Sequence, residues 1–194
     1  MAGILLTLSA ALYSERIQGE IAANVIRLHV LANSDAPHDQ ELKLLVRDVV
    51  LTEIAGWLDG NEGLDESRAV LSARLPDIAA AATELAGTNV TASLTHSRFP
   101  TMIYKNATLP AGIYETLRIS IGAADGRNWW CVVFPPLCLF DAVQVSIDCE
   151  EPTRLAAVLS DETYNIVKNP DTVRVRFKTV EVWQRMRGLF NNDG

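Results

Sequence analysis

The 194-residue chain is poor in the residues on which reactive centres are usually built: it holds three cysteines and three histidines. Cys131, Cys138 and Cys149 are too few for a disulfide-rich scaffold, and none has the close spacing of a structural zinc pair. No His-Glu-x-x-His segment occurs and no phosphate-binding loop, because the glycines fall in turns or at helix ends. A thiol hydrolase would need one of the cysteines beside His29, His38 or His96 and an orienting group, and no motif imposes that arrangement. Nothing selects two of the 24 carboxylates as an acid–base pair. The expectation is a protein without catalytic residues, cofactor, metal or small-molecule substrate, one that binds rather than reacts.

Positive charge is also scarce. Seventeen Lys and Arg stand against 24 Asp and Glu, a net charge of −7, which argues against a nucleic-acid partner. The apolar stretch from Ala2 to Tyr13 is broken by Gly3, Thr7 and Ser9, and falls short of the roughly 20 residues a spanning helix needs. Its length suits the core of an export signal, although the usual basic lead-in is missing. Residues 1–20 are therefore read as a residual export signal or anchor segment, with a small helix packed on the domain as the alternative.

Apolar residues make up 48% of the chain, enough for one core, and no internal break argues for two; a single domain is expected over 24–190. VIRLHVLAN, residues 25–33, alternates like a half-buried strand. NSDAPHDQ stops it, with Ser34 or Asp35 placed to cap a helix and Pro37 tolerated in the first turn. Leu42, Leu45, Val46, Val49, Ile54 and Leu58 then form a helical stripe, with Lys43 and Arg47 on the wet side. A second helical pattern starts at Leu64 and ends at Gly87, with Pro76 inside it expected to kink or divide it.

Strands follow at 90–98 and at 112–122, where Ile113, Leu117, Ile119 and Ile121 are expected inward and Tyr114, Thr116, Arg118 and Ser120 outward. WWCVVF is apolar throughout, as a central strand covered on both faces would be, and Pro135 and Pro136 should end it. A helix over 152–166, a basic strand VRVRFK at 173–178 and an amphipathic helix near 180–190 complete the pattern. This order predicts an α/β or α+β fold, with a mixed, mostly antiparallel sheet and covering helices. The cluster of Arg174, Arg176, Lys178, Arg185 and Arg187 reads first as a protected edge strand, and second as a surface for anionic lipid headgroups or an acidic partner.

NWWCVVFPPLC, residues 128–138, concentrates costly residues. Consecutive Trp129 and Trp130 must face opposite sides of a strand, so one can be core while the other needs a covering helix or a partner. The two prolines favour a bend that would help Cys131 meet Cys138, provided their Cα atoms come within about 7 Å. With three cysteines, at least one thiol is free or pairs with another chain.

Three segments together resemble the stage II sporulation protein R family of endospore-forming bacteria: IRLHVLANSDAPHDQELKLLVRDVV at 26–50, FPTMIYKNATLPAGIYETLRISIG at 99–122, and NWWCVVFPPLC. The likeness covers most of residues 24–150 and loosens after Pro152. It implies an exported signalling protein, made in the forespore and secreted into the space between forespore and mother-cell membranes. There it would activate a membrane-embedded aspartic protease that processes the precursor of the mother-cell sigma factor. By the match alone, the partner-binding candidates are Arg27, Asn33, Ser34, Asp35, Gln40, Trp129, Trp130, Pro135 and Pro136. The compartment would permit a disulfide between Cys131 and Cys138, with Cys149 leaving the pairing open. Two competing readings are a cell-envelope structural or adhesive protein and an exported thiol or carboxylate hydrolase.

Overall fold

A computed structural model describes residues 2–58, 63–104, 107–137 and 151–169. Cys138, Cys149, the basic cluster and the elements expected over 173–190 lie outside the described residues. Contacts group the chain into two compact units built from interleaved segments: Met1–Asn24, Arg98–Ile113 and Glu151–Gly194 form the first, Val25–Ser97 and Tyr114–Glu150 the second. Helices and a mixed sheet give the α+β class that the sequence implies.

In the second unit the order is β1 (Ile26–Leu31), α2 (Pro37–Trp57), α3 (Leu64–Ala86), β2 (Val90–Phe99), β5 (Gly112–Ile121) and β6 (Asn128–Phe134). The sheet order is β2-β5-β1-β6, with β1 parallel to β5 and antiparallel to β6. Register places Leu28 between Leu117 and Cys131, and Val30 between Ile119 and Trp129. These side chains share one face of the sheet, because neighbours in register point the same way.

Both helices lie on that face. Arg47 of α2 sits over the Trp129 ring at 4.9 Å, and Arg68 of α3 grips Glu115 of β5 through two 2.8 Å hydrogen bonds, from Nε to Oε1 and from Nη2 to Oε2. The opposite face carries Arg27, His29, Thr116, Arg118, Trp130 and Val132. All six residues of β1 are buried, and it is β1 and β5, rather than WWCVVF, that have a neighbouring strand on each side. Among the described strands β6 is an edge, although Cys131–Phe134 are buried.

The half-buried reading of β1 is thereby corrected, Arg27 and His29 being buried as well, and two further burial expectations change. In β5, Tyr114 and Thr116 are buried, because both faces of the strand are covered at that point and alternation stops reporting burial, while Ile113 at the start of the strand is exposed. In α2 the buried stripe runs Lys43, Val46, Val50, Leu51 and Ile54, whereas Leu45 is exposed; the stripe is turned from the one expected. The stop signals hold. Pro37 opens α2, and Gly87 closes α3 in the left-handed region at φ 61°, where a residue without Cβ is unstrained.

In the first unit, α1 (Ala2–Ala23) packs with α5 (Asp161–Lys168), which follows α4 (Glu151–Val158) and also touches β4. The strands β3 (Met102–Ile103) and β4 (Thr108–Leu109) pair antiparallel as a short ribbon. The helix expected over 152–166 is divided, because Ser160 caps a new start by accepting from Thr163 N–H. Ser14, Ile17 and Ile21 of α1 are buried. Glu20 accepts from Ser160 N–H and from the Thr163 hydroxyl, both at 2.7 Å. Burial alone would raise the Glu20 pKa, but these bonds hold it below the ordinary carboxylate range. Among the described residues no helix is long and apolar enough to cross a membrane.

Cys131 is disulfide-bonded, and its partner lies outside the described residues. Mass analysis of the non-reduced, denatured chain after alkylation is expected to find one reactive thiol; three would contradict the bridge.

Candidate recognition site

The site forms where β1 and β5 both end, at the carboxyl edge of a parallel pair, a place where α/β sheets commonly present loops for binding. Two segments meet there: the β1–α2 loop, residues 32–36, and the β5–β6 turn, residues 122–127. Asn33 joins them. Its Oδ1 accepts from Ala123 N–H at 2.9 Å, while its Nδ2 donates to Asp39 at 2.9 Å. Its backbone carbonyl accepts from Asp125 N–H at 3.2 Å, and Ala32 O accepts from Gly126 N–H at 2.9 Å.

Ser34 completes the loop. Its hydroxyl donates to Asp39 at 2.5 Å and accepts from Ala36 N–H at 3.1 Å, and its carbonyl accepts from the Gln40 side chain at 2.8 Å. Contrary to the sequence expectation, neither Ser34 nor Asp35 caps α2; the cap is Ala36, and the two side chains brace the loop and the turn instead. The Ser34 hydroxyl, followed by the Asn33 amide, holds the Asp39 carboxyl below its usual range.

Two glycines let the segments approach. A Cβ on Gly122, whose φ is +54°, would stand 2.2 Å from Asn33 Oδ1, and one on Gly126 would stand 2.2 Å from the Ser34 carbonyl oxygen. Lys43 reaches up from α2, donating to Gln40 Oε1 at 2.7 Å and to the Arg127 carbonyl at 3.0 Å. Burial, and then the nearby Arg127 charge, push its pKa down. Asp35 accepts from Arg127 N–H at 2.7 Å, with its guanidinium Nε at 3.5 Å. Both side chains are well exposed, so this ion pair contributes little.

The aromatic pair extends the site down the sheet. Trp129 lies on the helix face under Arg47. Trp130 stacks on His29 on the opposite face, with ring centroids 3.8 Å apart. His29 Nε2 lies 3.0 Å from Asn128 Oδ1, which makes that nitrogen the donor. Burial lowers the His29 pKa to about 4, against the Asn128 hydrogen bond and with help from the Arg118 charge.

The sequence candidates thus separate. Asn33, Ser34, Asp35 and Gln40 come together in one clamp, with Trp129 and Trp130 starting the adjacent strand. Pro135 and Pro136 are buried beyond the other end of β6, about 20 Å along the strand from Trp129. Arg27 is fully buried in mid-sheet, its guanidinium 4.7 Å from the Tyr114 ring centroid. Lys43, Arg47, Arg127 and Asp39 were not among the partner-binding candidates read from sequence. The one signal for Lys43 and Arg47 was their helical spacing after Asp39, on a face read as solvated. Among the described residues no group of three His, Cys, Asp or Glu side chains is placed to hold a metal ion.

The arrangement is a rigid loop pair whose amides, hydroxyls and carboxylate are spent on each other. The sequence model of the family described as "Stage II sporulation protein R" matches residues 22–144, which contain the whole clamp and both tryptophans. The stage II sporulation protein R of Bacillus subtilis (strain 168) is 44% identical over 126 residues, covering 62% of this chain and 56% of that protein. The chain therefore spans about half the length of that curated relative. No solved structure matches. This is a sporulation protein. It belongs to the stage II sporulation protein R family.

Proposed function

We propose that the protein is an exported signal, not an enzyme, which activates a membrane-embedded aspartic protease and so triggers processing of the mother-cell sigma factor precursor. The observation that carries this reading is the family match across residues 22–144, together with the folding of its most specific motif into one surface loop pair. The polar groups of Asn33, Ser34 and Gln40 bond within the protein, so they act by shaping the loops. Contact with the protease then falls to what the clamp leaves outward: Asp35, Arg127 and the exposed Leu45 of α2.

Binding of the purified chain to the detergent-solubilised protease tests this. Leu45→Asp with Asp35→Asn, which removes the charge but keeps an oxygen for Arg127 N–H, is expected to weaken binding at least ~10-fold while leaving the melting temperature within about 2 °C, since exposed substitutions cost little stability. Undiminished binding by that double variant would remove these residues from the interface. Absence of binding by the folded wild type would favour an envelope-binding role instead.

A further inference from the structure

We propose that Asp125–Gly126 is a self-modification site, which converts to isoaspartate when the loop clamp opens and is protected while the clamp is closed. The reaction depends on neither the export nor the protease reading. Of the three Asp-Gly pairs in the sequence, those at Asp59 and Asp193 lie outside the described residues. An aspartate before glycine is open to attack by its own backbone, because glycine has no side chain to shield the amide nitrogen or limit its rotation. The Gly126 nitrogen would attack Cγ of Asp125: the N–Cγ bond forms, the Cγ–OH bond breaks, and the amide proton leaves with that hydroxyl as water. The resulting succinimide takes water back. Addition at Cγ restores aspartate, whereas addition at the main-chain carbonyl carbon breaks its bond to nitrogen and leaves isoaspartate.

The turn presents this pair and restrains it. Asp125 is exposed. Yet three consecutive amides are bonded to the β1–α2 loop: Asp125 N–H to Asn33 O at 3.2 Å, Gly126 N–H to Ala32 O at 2.9 Å, and Arg127 N–H to Asp35 Oδ1 at 2.7 Å. Attack requires the Gly126 N–H to give up its proton and the peptide plane before it to rotate towards Cγ. The Ala32 carbonyl holds that proton, and the bonds on either side hold the plane. Close packing adds to this, since a Cβ on Gly126 would stand 2.2 Å from the Ser34 carbonyl oxygen. Asn33 keeps loop and turn together by accepting from Ala123 N–H at 2.9 Å. Conversion must therefore follow a local opening of the clamp. It also prevents reclosure. Isoaspartate routes the main chain through Cβ and Cγ, adding one carbon between the Asp125 and Gly126 amides. Their acceptors sit on the adjacent residues Asn33 and Ala32 and keep their spacing, so both bonds cannot be remade.

The test is peptide mapping of the full chain held in warm neutral buffer, either native or in denaturing guanidinium. Trypsin cuts after Arg118 and Arg127 and releases residues 119–127 as one peptide. Its isoaspartyl form has the same mass and is resolved by retention time and electron-transfer fragmentation. Isoaspartate is expected to accumulate there at least ~10-fold more slowly in the native chain than in the denatured one, the clamp having to open first. Asn33→Ala, shown to be folded by its thermal transition, is expected to convert at least ~3-fold faster than the native wild type. Equal rates in the native and denatured wild type, or no isoaspartate in the denatured chain, would overturn the proposal. So would a folded Asn33→Ala chain that converts no faster than wild type. The native and denatured comparison needs no variant, and decides the matter alone if Asn33→Ala does not fold.

Discussion

Gly126→Ala is expected to lower the melting temperature by about 5–10 °C, the equivalent of roughly 2–3 kcal/mol for a chain of this size. The cause is backbone, not side chain. The new Cβ would stand 2.2 Å from the Ser34 carbonyl oxygen and 2.5 Å from its carbon, so neither segment can relieve the contact by changing a rotamer. The β5–β6 turn must move off the β1–α2 loop. That would strain the Gly126 N–H to Ala32 O and Asp125 N–H to Asn33 O hydrogen bonds, and the grip of Asp35 on Arg127. Gly56→Ala is the matched control. It lies in α2 of the same unit with nothing within 4 Å of the added Cβ, and alanine there should stabilise by about 0.5–1 kcal/mol. Thermal unfolding of the two variants side by side reads the difference. Equal melting temperatures would mean that the loops do not meet at Gly126.

The second large effect is on acid stability. His29 has a folded pKa of about 4 against an ordinary value near 6.5, because burial disfavours its charged form. Between those values the unfolded chain takes up a proton that the folded protein refuses, so the unfolded state gains. The contribution is present in full above about pH 6.5, is lost as pH falls towards 4, and loses nothing further below. Its upper size is about 3 kcal/mol, from roughly 1.4 kcal/mol for each unit of difference. Asp39 and Glu20, both held below the carboxylate range, lose their contributions only at lower pH. Denaturant unfolding at intervals from pH 7 to 4 is expected to show this fall. His29→Gln, which keeps a donor for Asn128 and cannot titrate, should flatten it. An equal slope in both proteins would place the acid sensitivity elsewhere.

Local signals in the sequence carried the elements well. Alternation located β1, the prolines located the end of β6 and the start of α2, and Gly87 closed α3 in the conformation that favours glycine. Which face each element buries was less legible. The α2 stripe could be drawn through Leu42 and Leu45 or through Lys43 and Val46. The second is realised because the Lys43 ammonium finds the Arg127 carbonyl, 84 residues away in sequence. No local pattern encodes that partner. Tyr114 and Thr116 were expected outward because alternation assumes one wet face, and β5 has none at that point.

The site was half legible. Its residues were visible as a motif, but helix capping and partner contact were equally good accounts of Asn33 and Ser34. Only the register of β1 against β5 and β6 brings the Gly122–Arg127 turn to them and gives them a different role. The same register stacks His29 on Trp130, a contact that neither segment announces by itself. The two units leave no boundary of composition, since each is assembled from separated stretches of chain.

The central claim is that this protein switches on a protease by contact. Its most direct test is co-expression, behind a working export signal, with the cognate membrane protease and the sigma factor precursor, reading processed sigma by immunoblot. The account predicts cleavage that requires this chain and disappears when the catalytic aspartate of the protease is replaced. Precursor left uncut, with this chain exported and folded and the protease present, would contradict it.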